Sequence, residues 1–156
     1  MLFRSLDLGL AQAGAQQYRE AIRTFTRGLA IEPKNALLLR WRGHRHLSLR
    51  EFSQARADLE AGIKIDPSIY GLWYHLGIVR FAGGDFSGAA EAFARGLPIA
   101  PDAGELKGSV DWLWMSLSRA DCAAEAKALL DRHPEDRKST RLNSSHSSVS
   151  RMPSSA

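Results

Sequence analysis

The chain has 156 residues, of which 44% are hydrophobic and 24% charged, the composition of a folded globular protein with one core of modest size. Its formal net charge of +4 does not indicate a nucleic-acid partner, because residues 136–156 hold four basic residues against one acidic residue and residues 1–135 are close to neutral. The single cysteine excludes an internal disulfide bond, and the lack of a signal-peptide pattern and of an apolar run of ~20 residues predicts a cytoplasmic chain without a membrane span.

A period of 34 residues runs through the first two thirds of the sequence, as the spacing of Pro33, Pro67 and Pro101 shows. The same spacing separates the members of four further sets: Tyr18, Phe52 and Phe86; Ala21, Ala55 and Ala89; Phe25, Leu59 and Phe93; Gly28, Gly62 and Gly96. Apolar residues recur at helical spacing inside each unit, and each proline ends a helix. We therefore predict three helix pairs, at residues 2–15 and 18–31, 36–49 and 52–65, and 70–83 and 86–99. Pro98 should kink or shorten the end of the last helix.

Glycine recurs in the middle of the first helix of each pair, at Gly9, Gly43 and Gly77. In a helix interior glycine costs about 1 kcal/mol relative to alanine. That cost is offset where a neighbouring helix passes too close for a side chain, so the glycines predict tightly stacked helices. A single pair cannot bury its apolar face, whereas stacked pairs form a continuous core.

The regular spacing stops after residue 103, and residues 104–134 predict a degenerate fourth unit that caps the stack. A helix is expected from Glu105 to Arg119, with Val110, Leu113, Trp114 and Leu117 on one side. Asp121 is expected to be the N-cap of a second helix over residues 122–133.

Residues 136–156 are rich in serine and have no apolar period, so we predict a disordered tail after a repeat domain at residues 1–135. Asp136 to His146 and Ser150 to Ala156 also resemble the translation of a sequencing-library adapter. We therefore expect this tail to be non-native and the natural reading frame to be interrupted near Glu135.

The period and the residue types resemble the tetratricopeptide repeat family. The third unit carries the resemblance most fully, through Trp73, Leu76, Gly77, Ala89, Phe93 and Pro101. The resemblance implies an all-α fold, a right-handed superhelical solenoid of stacked antiparallel helix pairs, with repeats at about 2–35, 36–69 and 70–103. It also implies a concave groove, lined by the first helix of each pair, that receives a partner peptide or helix.

By the same resemblance, eight residues should line the groove. They are Leu6 and Leu10 in the first unit, Arg40, His44 and Leu47 in the second, and Tyr74, Ile78 and Phe81 in the third. Packing between repeats is the competing interpretation for each of them. Members of the family that hold acidic chaperone C-termini use Lys and Asn on these faces. Leu6, Leu10 and Ile78 do not match that pattern, which argues against such a ligand.

The sequence contains no recognisable catalytic or metal-binding motif, so we predict no enzyme, no metal site and no cofactor. The sequence has no phosphate-binding glycine loop and no Cys or His pair at metal-binding spacing. His44 and His46 are two residues apart on a predicted helix, so they should point to different sides of it.

The function predicted from these observations is a protein-interaction module or scaffold that binds a protein or peptide of unknown identity. One alternative is the regulatory repeat region of a longer enzyme or envelope protein. A less favoured alternative is a helical-repeat RNA-binding protein, against which the constant 34-residue spacing and the near-neutral body argue.

Overall fold

The computed structural model describes residues 2–134, and the adapter-like tail predicted at residues 136–156 lies outside the described residues. The described part is all-α. It contains the helices α1 (Leu2–Gly14), α2 (Tyr18–Ile31), α3 (Ala36–Ser48), α4 (Phe52–Ile65), α5 (Tyr70–Ala82), α6 (Phe86–Gly96), α7 (Ala103–Arg119) and α8 (Ala123–Arg132). The helices form successive antiparallel pairs, each packed on the next. The predicted solenoid of stacked pairs is therefore confirmed.

The three predicted helix pairs agree with the structure to within a residue or two, except at Pro98. There α6 ends at Gly96, and residues Leu97–Ile99 form a single turn of 3₁₀-helix. The equivalent helices α2 and α4 continue to Ile31 and Ile65. The proline ring accounts for the difference, because it removes a backbone donor and clashes with the preceding turn.

Side-chain caps begin three of the helices. The side chains of Asn35, Asp85 and Asp102 accept hydrogen bonds from the backbone N–H groups three residues ahead, at 3.0, 2.9 and 2.9 Å. The prediction that Asp121 caps α8 is wrong. Asp121 adopts a left-handed conformation with φ of 59°, and Cys122 occupies the N-cap position without a side-chain cap bond.

Asp121 belongs to a set of turn residues that the fold places in the left-handed region. Gln16, Arg50 and Gly84 occupy the same place in the turns inside the first three pairs, with φ of 60°, 59° and 83°. The tight turn from the first to the second helix requires this backbone conformation. Glycine adopts it at little cost, and only the third pair has glycine there.

The mid-helix glycines lie where the second helix of the same pair crosses the first. An alanine Cβ at Gly77 would lie 2.6 Å from the ring of Phe93, and one at Gly43 would lie 3.0 Å from Leu59. An added Cβ at Gly9 would also meet the ring of Phe25. The prediction that these glycines permit close helix packing is thus supported by the geometry.

The core is divided into three clusters, each shared between neighbouring pairs. Phe25, Leu59 and Phe93, which recur every 34 residues, are buried completely or almost so. In the fourth unit Val110 and Leu113 of α7 and Leu129 of α8 are buried, and all three join the cluster around Phe93. The fourth unit therefore packs on the third, and its role as a cap of the stack stays a prediction.

Candidate functional site

The first helices of the pairs form a connected face, because α3 contacts both α1 and α5. We call this the inner face and define it by the eight residues predicted to line the groove: Leu6, Leu10, Arg40, His44, Leu47, Tyr74, Ile78 and Phe81. All eight are half-buried. A half-buried side chain packs on one side and meets solvent on the other, so this burial fits either interpretation. The groove assignment stays a prediction.

The apolar members of the inner face pack against the core beneath them. Leu6 and Leu10 contact the cluster that contains Phe25. Leu47 contacts the cluster that contains Leu59, and Ile78 contacts the cluster that contains Phe93. Phe81 lies edge-on to Trp112 of α7, with ring centroids 5.3 Å apart. These five side chains thus take part in inter-repeat packing.

Arg40 occupies the middle of the inner face. Its guanidinium carbon lies 3.6 Å from the ring centroid of Trp41, a cation–π arrangement. A Cβ at Gly71 would lie 2.5 Å from Arg40 Nε, so the glycine allows the guanidinium to lie against the start of α5. Burial, followed by the charge of Arg45, lowers the pKa of Arg40 to about 10.

His44 and His75 meet across the α3–α5 junction, with ring centroids 4.0 Å apart. His75 Nδ1 lies 2.5 Å from the Gly71 carbonyl oxygen, which can only accept, so Nδ1 of a neutral His75 carries the proton. Arg45 donates to His44 Nδ1 at 2.6 Å, which leaves the proton of a neutral His44 on Nε2.

Both imidazoles are held in the neutral form. The pKa of His44 is lowered to about 2 by burial and by the charges of His75, Arg45 and Arg40. The pKa of His75 is lowered to about 4 by burial and then by the charge of Arg40. His46, by contrast, contacts Glu51 at 2.7 Å. The prediction that His44 and His46 point to different sides is therefore supported. In residues 2–134 no group of three His, Cys, Asp or Glu side chains could hold a metal ion.

Two further residues belong to this site, and sequence reasoning missed both. Arg45 is 9% exposed and lies over the ring of Tyr18, with its guanidinium carbon 5.3 Å from the ring centroid. Tyr70 stacks on Tyr74 and shares a 2.8 Å hydrogen bond with Ser109 of α7. The spacing of the repeats could have pointed to Tyr70, because it begins the first helix of its pair. No pattern in the sequence marks Arg45.

An aromatic ladder joins these elements. It runs from Trp41 through His44 and His75 to Tyr74, with neighbouring ring centroids 5.9, 4.0 and 5.5 Å apart. Tyr74 then lies edge-on to Phe93, 6.0 Å away. The centre of the inner face is therefore aromatic and cationic, whereas its two ends are apolar.

Residues 42–104 match the family model described as "Tetratricopeptide repeat". The chain is 28% identical over 122 residues to the heat-shock protein cognate co-chaperone sgt12 of Aspergillus fumigatus, covering 77% of this chain and 36% of that protein. It is 36% identical over 87 residues to small glutamine-rich tetratricopeptide repeat-containing protein 2 of Saccharomyces cerevisiae, covering 56% of this chain and 25% of that protein. The chain thus spans about a quarter to a third of the length of these relatives.

Solved structures share the fold. The Sgt2 TPR domain from Aspergillus fumigatus superposes with a TM-score of 0.70 at 25% sequence identity, over 80% of this chain and 82% of that one. The second TPR of Spaghetti (RPAP3), bound to the HSP90 peptide SRMEEVD, gives a TM-score of 0.61 at 26% identity, over 63% of this chain and 91% of that one. No helix within residues 2–134 has the length and apolar character needed to cross a bilayer. The 34-residue period, the stacked helix pairs and these matches together show that the chain contains tetratricopeptide repeats, which the family model matches over residues 42–104.

Proposed function

We propose that the chain is a protein-interaction module whose inner face binds a segment of a partner protein. The observation that carries this proposal is the half-buried aromatic and cationic centre formed by Arg40, Trp41, His44 and Tyr74. Arg, Tyr and Trp are the residue types that most often anchor protein interfaces. The names of the relatives support the proposal, since one is a co-chaperone and one solved structure holds a peptide.

The mechanism we propose is docking on a preformed surface. The helices that carry the centre are fixed by the clusters beneath them, so the side chains need little ordering when a partner binds. Since only about four pairs supply contacts, we expect affinity in the micromolar range or weaker. The identity of the partner is left open by this proposal, and so is the activity of any longer protein of which the repeats form part.

Site-specific photo-cross-linking tests the proposal. A benzophenone amino acid placed at Leu10 or Tyr74 should cross-link a partner in an extract of the source cells. The matched control places the same group at the exposed Arg23 of α2 or Glu91 of α6, in the second helices of their pairs. Equal cross-linking from the control positions, or none from the inner face, would count against the assignment.

A further inference from the structure

Two buried or half-buried arginines on α3 have no carboxylate partner within the described residues. The contrast with two other arginines is direct. Arg42 makes a paired contact with Asp58, at 2.7 and 2.6 Å, and Arg80 lies 3.4 Å from Glu60. Arg40 and Arg45 have no carboxylate oxygen within 4.0 Å in residues 2–134. Neither charge therefore has a paired carboxylate: Arg40 lies on the inner face, and the buried Arg45 contacts His44 of that face and Tyr18 of α2.

Arg45 is the more unusual of the two, because it is almost completely buried. Its guanidinium contacts a tyrosine ring and a neutral imidazole, neither of which carries a negative charge. Its Nε lacks a hydrogen-bond partner. Burial of a guanidinium without a counter-ion costs free energy of folding. We expect a protein to retain such a group where a further interaction uses its charge.

The groups around the two arginines also favour an anion. Arg45 donates to His44 Nδ1 and so leaves a proton on Nε2, where the nearby charge strengthens it as a hydrogen-bond donor. An opposing charge, that of Glu105, acts on Arg40 without a direct contact. That carboxylate already accepts a 3.1 Å hydrogen bond from the Tyr70 hydroxyl.

We propose that this centre, which we call the arginine pair and define as Arg40 and Arg45, binds one aspartate or glutamate side chain of a partner protein segment. The inference rests on the proposed function and names the chemistry of the partner. The carboxylate contacts the Arg40 guanidinium and the His44 Nε2 proton, and Arg45 supplies a second positive charge from behind the imidazole. The apolar residues at both ends of the inner face then meet apolar residues that flank the acidic one.

A side-chain carboxylate fits the site better than a chain terminus or a phosphate. The inner-face positions of α1 are Leu6 and Leu10, which offer no polar group to a second carboxylate of the kind that a chain terminus after an acidic residue would present. Residues 1–135 are close to neutral, so no wider positive field attracts a polyanion. One carboxylate with apolar neighbours matches one small cationic centre with apolar surroundings.

A peptide array provides the test. The full chain is applied to acetylated and amidated decapeptides in which a central Glu, Gln, Lys or Leu is flanked by varied apolar residues. Glu peptides should bind about tenfold more tightly than the same peptides with Gln, the difference expected for one charge-assisted contact. Raising the salt concentration should reduce the preference.

Variants assign the preference to residues. Arg40→Met keeps the aliphatic stem and removes the charge, so the Glu preference should disappear, whereas Arg40→Lys should keep most of it. Arg45→Met should lower the preference as well, and if that variant does not fold, Arg40→Met decides the question. The control is Arg56→Met, on the exposed side of α4, which should bind as the unchanged chain does.

The outcomes separate the two proposals. If no apolar-flanked peptide of any class binds, the proposed docking on the inner face is contradicted. If peptides bind without preference for Glu, or with a preference that Arg40→Met leaves intact, only the arginine pair is contradicted. The heptapeptide SRMEEVD with a free C-terminus is included as the alternative source of carboxylate. Binding of this heptapeptide about tenfold more tightly than of every Glu decapeptide would also overturn the proposal.

Discussion

At the scale of single residues, the missing Cβ atom of several glycines allows neighbouring helices to pack closely. Gly9, Gly43 and Gly77 recur where a large apolar side chain of the second helix presses against the first. The second helices repeat the device against the next pair, since a Cβ at Gly62 would lie 2.6 Å from a methyl carbon of Leu72. These glycines are therefore fixed by packing and not by backbone conformation.

Gly77→Ala should destabilise the chain. The new Cβ would meet three ring atoms of the buried Phe93 at 2.6–2.7 Å, and overpacking of this kind costs about 1–3 kcal/mol. This cost exceeds the gain in helix propensity of about 1 kcal/mol. Gly108→Ala, in the middle of α7, is the matched control. No atom lies within 4 Å of its added Cβ, so it should stabilise the chain by about 0.5–1 kcal/mol. Urea unfolding followed by circular dichroism measures both, and a stabilising Gly77→Ala would refute the packing argument.

The neutral His75 makes stability depend on pH. Its pKa is about 4 in the folded chain against 6.5 in the unfolded chain, so the unfolded state takes up a proton first as the pH falls. This contribution to stability is complete above pH 6.5 and is lost towards pH 4. We expect a loss of about 2 kcal/mol from His75 between pH 7 and pH 5. His44 acts in the same direction, and the groups that face His75 are His44, Tyr74, Arg40 and Arg45.

The variant His75→Phe isolates this effect. It keeps a ring in the buried position but cannot be protonated, so the difference in unfolding free energy between pH 7 and pH 5 should shrink by about 2 kcal/mol. The hydrogen bond to Gly71 is also lost, which lowers stability at both pH values alike. Urea titrations at the two pH values measure the difference. An unchanged difference would contradict the assignment of a neutral, buried His75.

At the scale of helices, the pairs have the same helix arrangement, but the side chains that connect equivalent helices differ from one pair to the next. His46 and Arg80 occupy the same place in α3 and α5. His46 contacts Glu51, whereas Arg80 reaches Glu60 of α4 and the Gly88 carbonyl of α6 at 3.4 and 3.0 Å. A charged residue of α5 thus contacts both α4 and α6.

Arg80→Met should reveal how much this connection contributes. The variant keeps the stem but removes the bonds to Glu60 and to the Gly88 carbonyl, and we expect a loss of about 1–3 kcal/mol. Arg56→Met removes the exposed partner of the same Glu60, and should cost less than about 1 kcal/mol. Thermal or urea unfolding of both variants provides the comparison. Equal losses would show that burial of Arg80 adds nothing.

At the scale of the whole molecule, some arginines form ion pairs with carboxylates of the described residues and others do not. Pairs such as Arg19 with Glu51 and Arg42 with Asp58 neutralise each other between helices, whereas Arg40 and Arg45 have no paired carboxylate among these residues. The net charge of the body hides this difference, because it counts paired and unpaired residues alike. A near-neutral repeat protein can therefore present a local cationic centre to a partner.

The repeat length, the helix pairs and the class of fold could all be predicted from the amino-acid sequence. These follow from local periodicity, from proline at helix ends and from glycine at helix crossings, and each of these signals lies within a single repeat. The predicted cap at Asp121 is wrong because Asp121 itself lies in the turn between α7 and α8, which holds it in a left-handed conformation.

The side chains that meet at the inner face could not be predicted in this way, because they come from different repeats. Tyr70 and Ser109 are 39 residues apart, and His44 and His75 are 31 apart, so no local pattern joins them. Whether an arginine is paired depends on which carboxylate a neighbouring helix brings within reach. The stacked helix pairs could therefore be predicted from the sequence, while the lack of a carboxylate partner for Arg40 and Arg45 is a property of the folded chain.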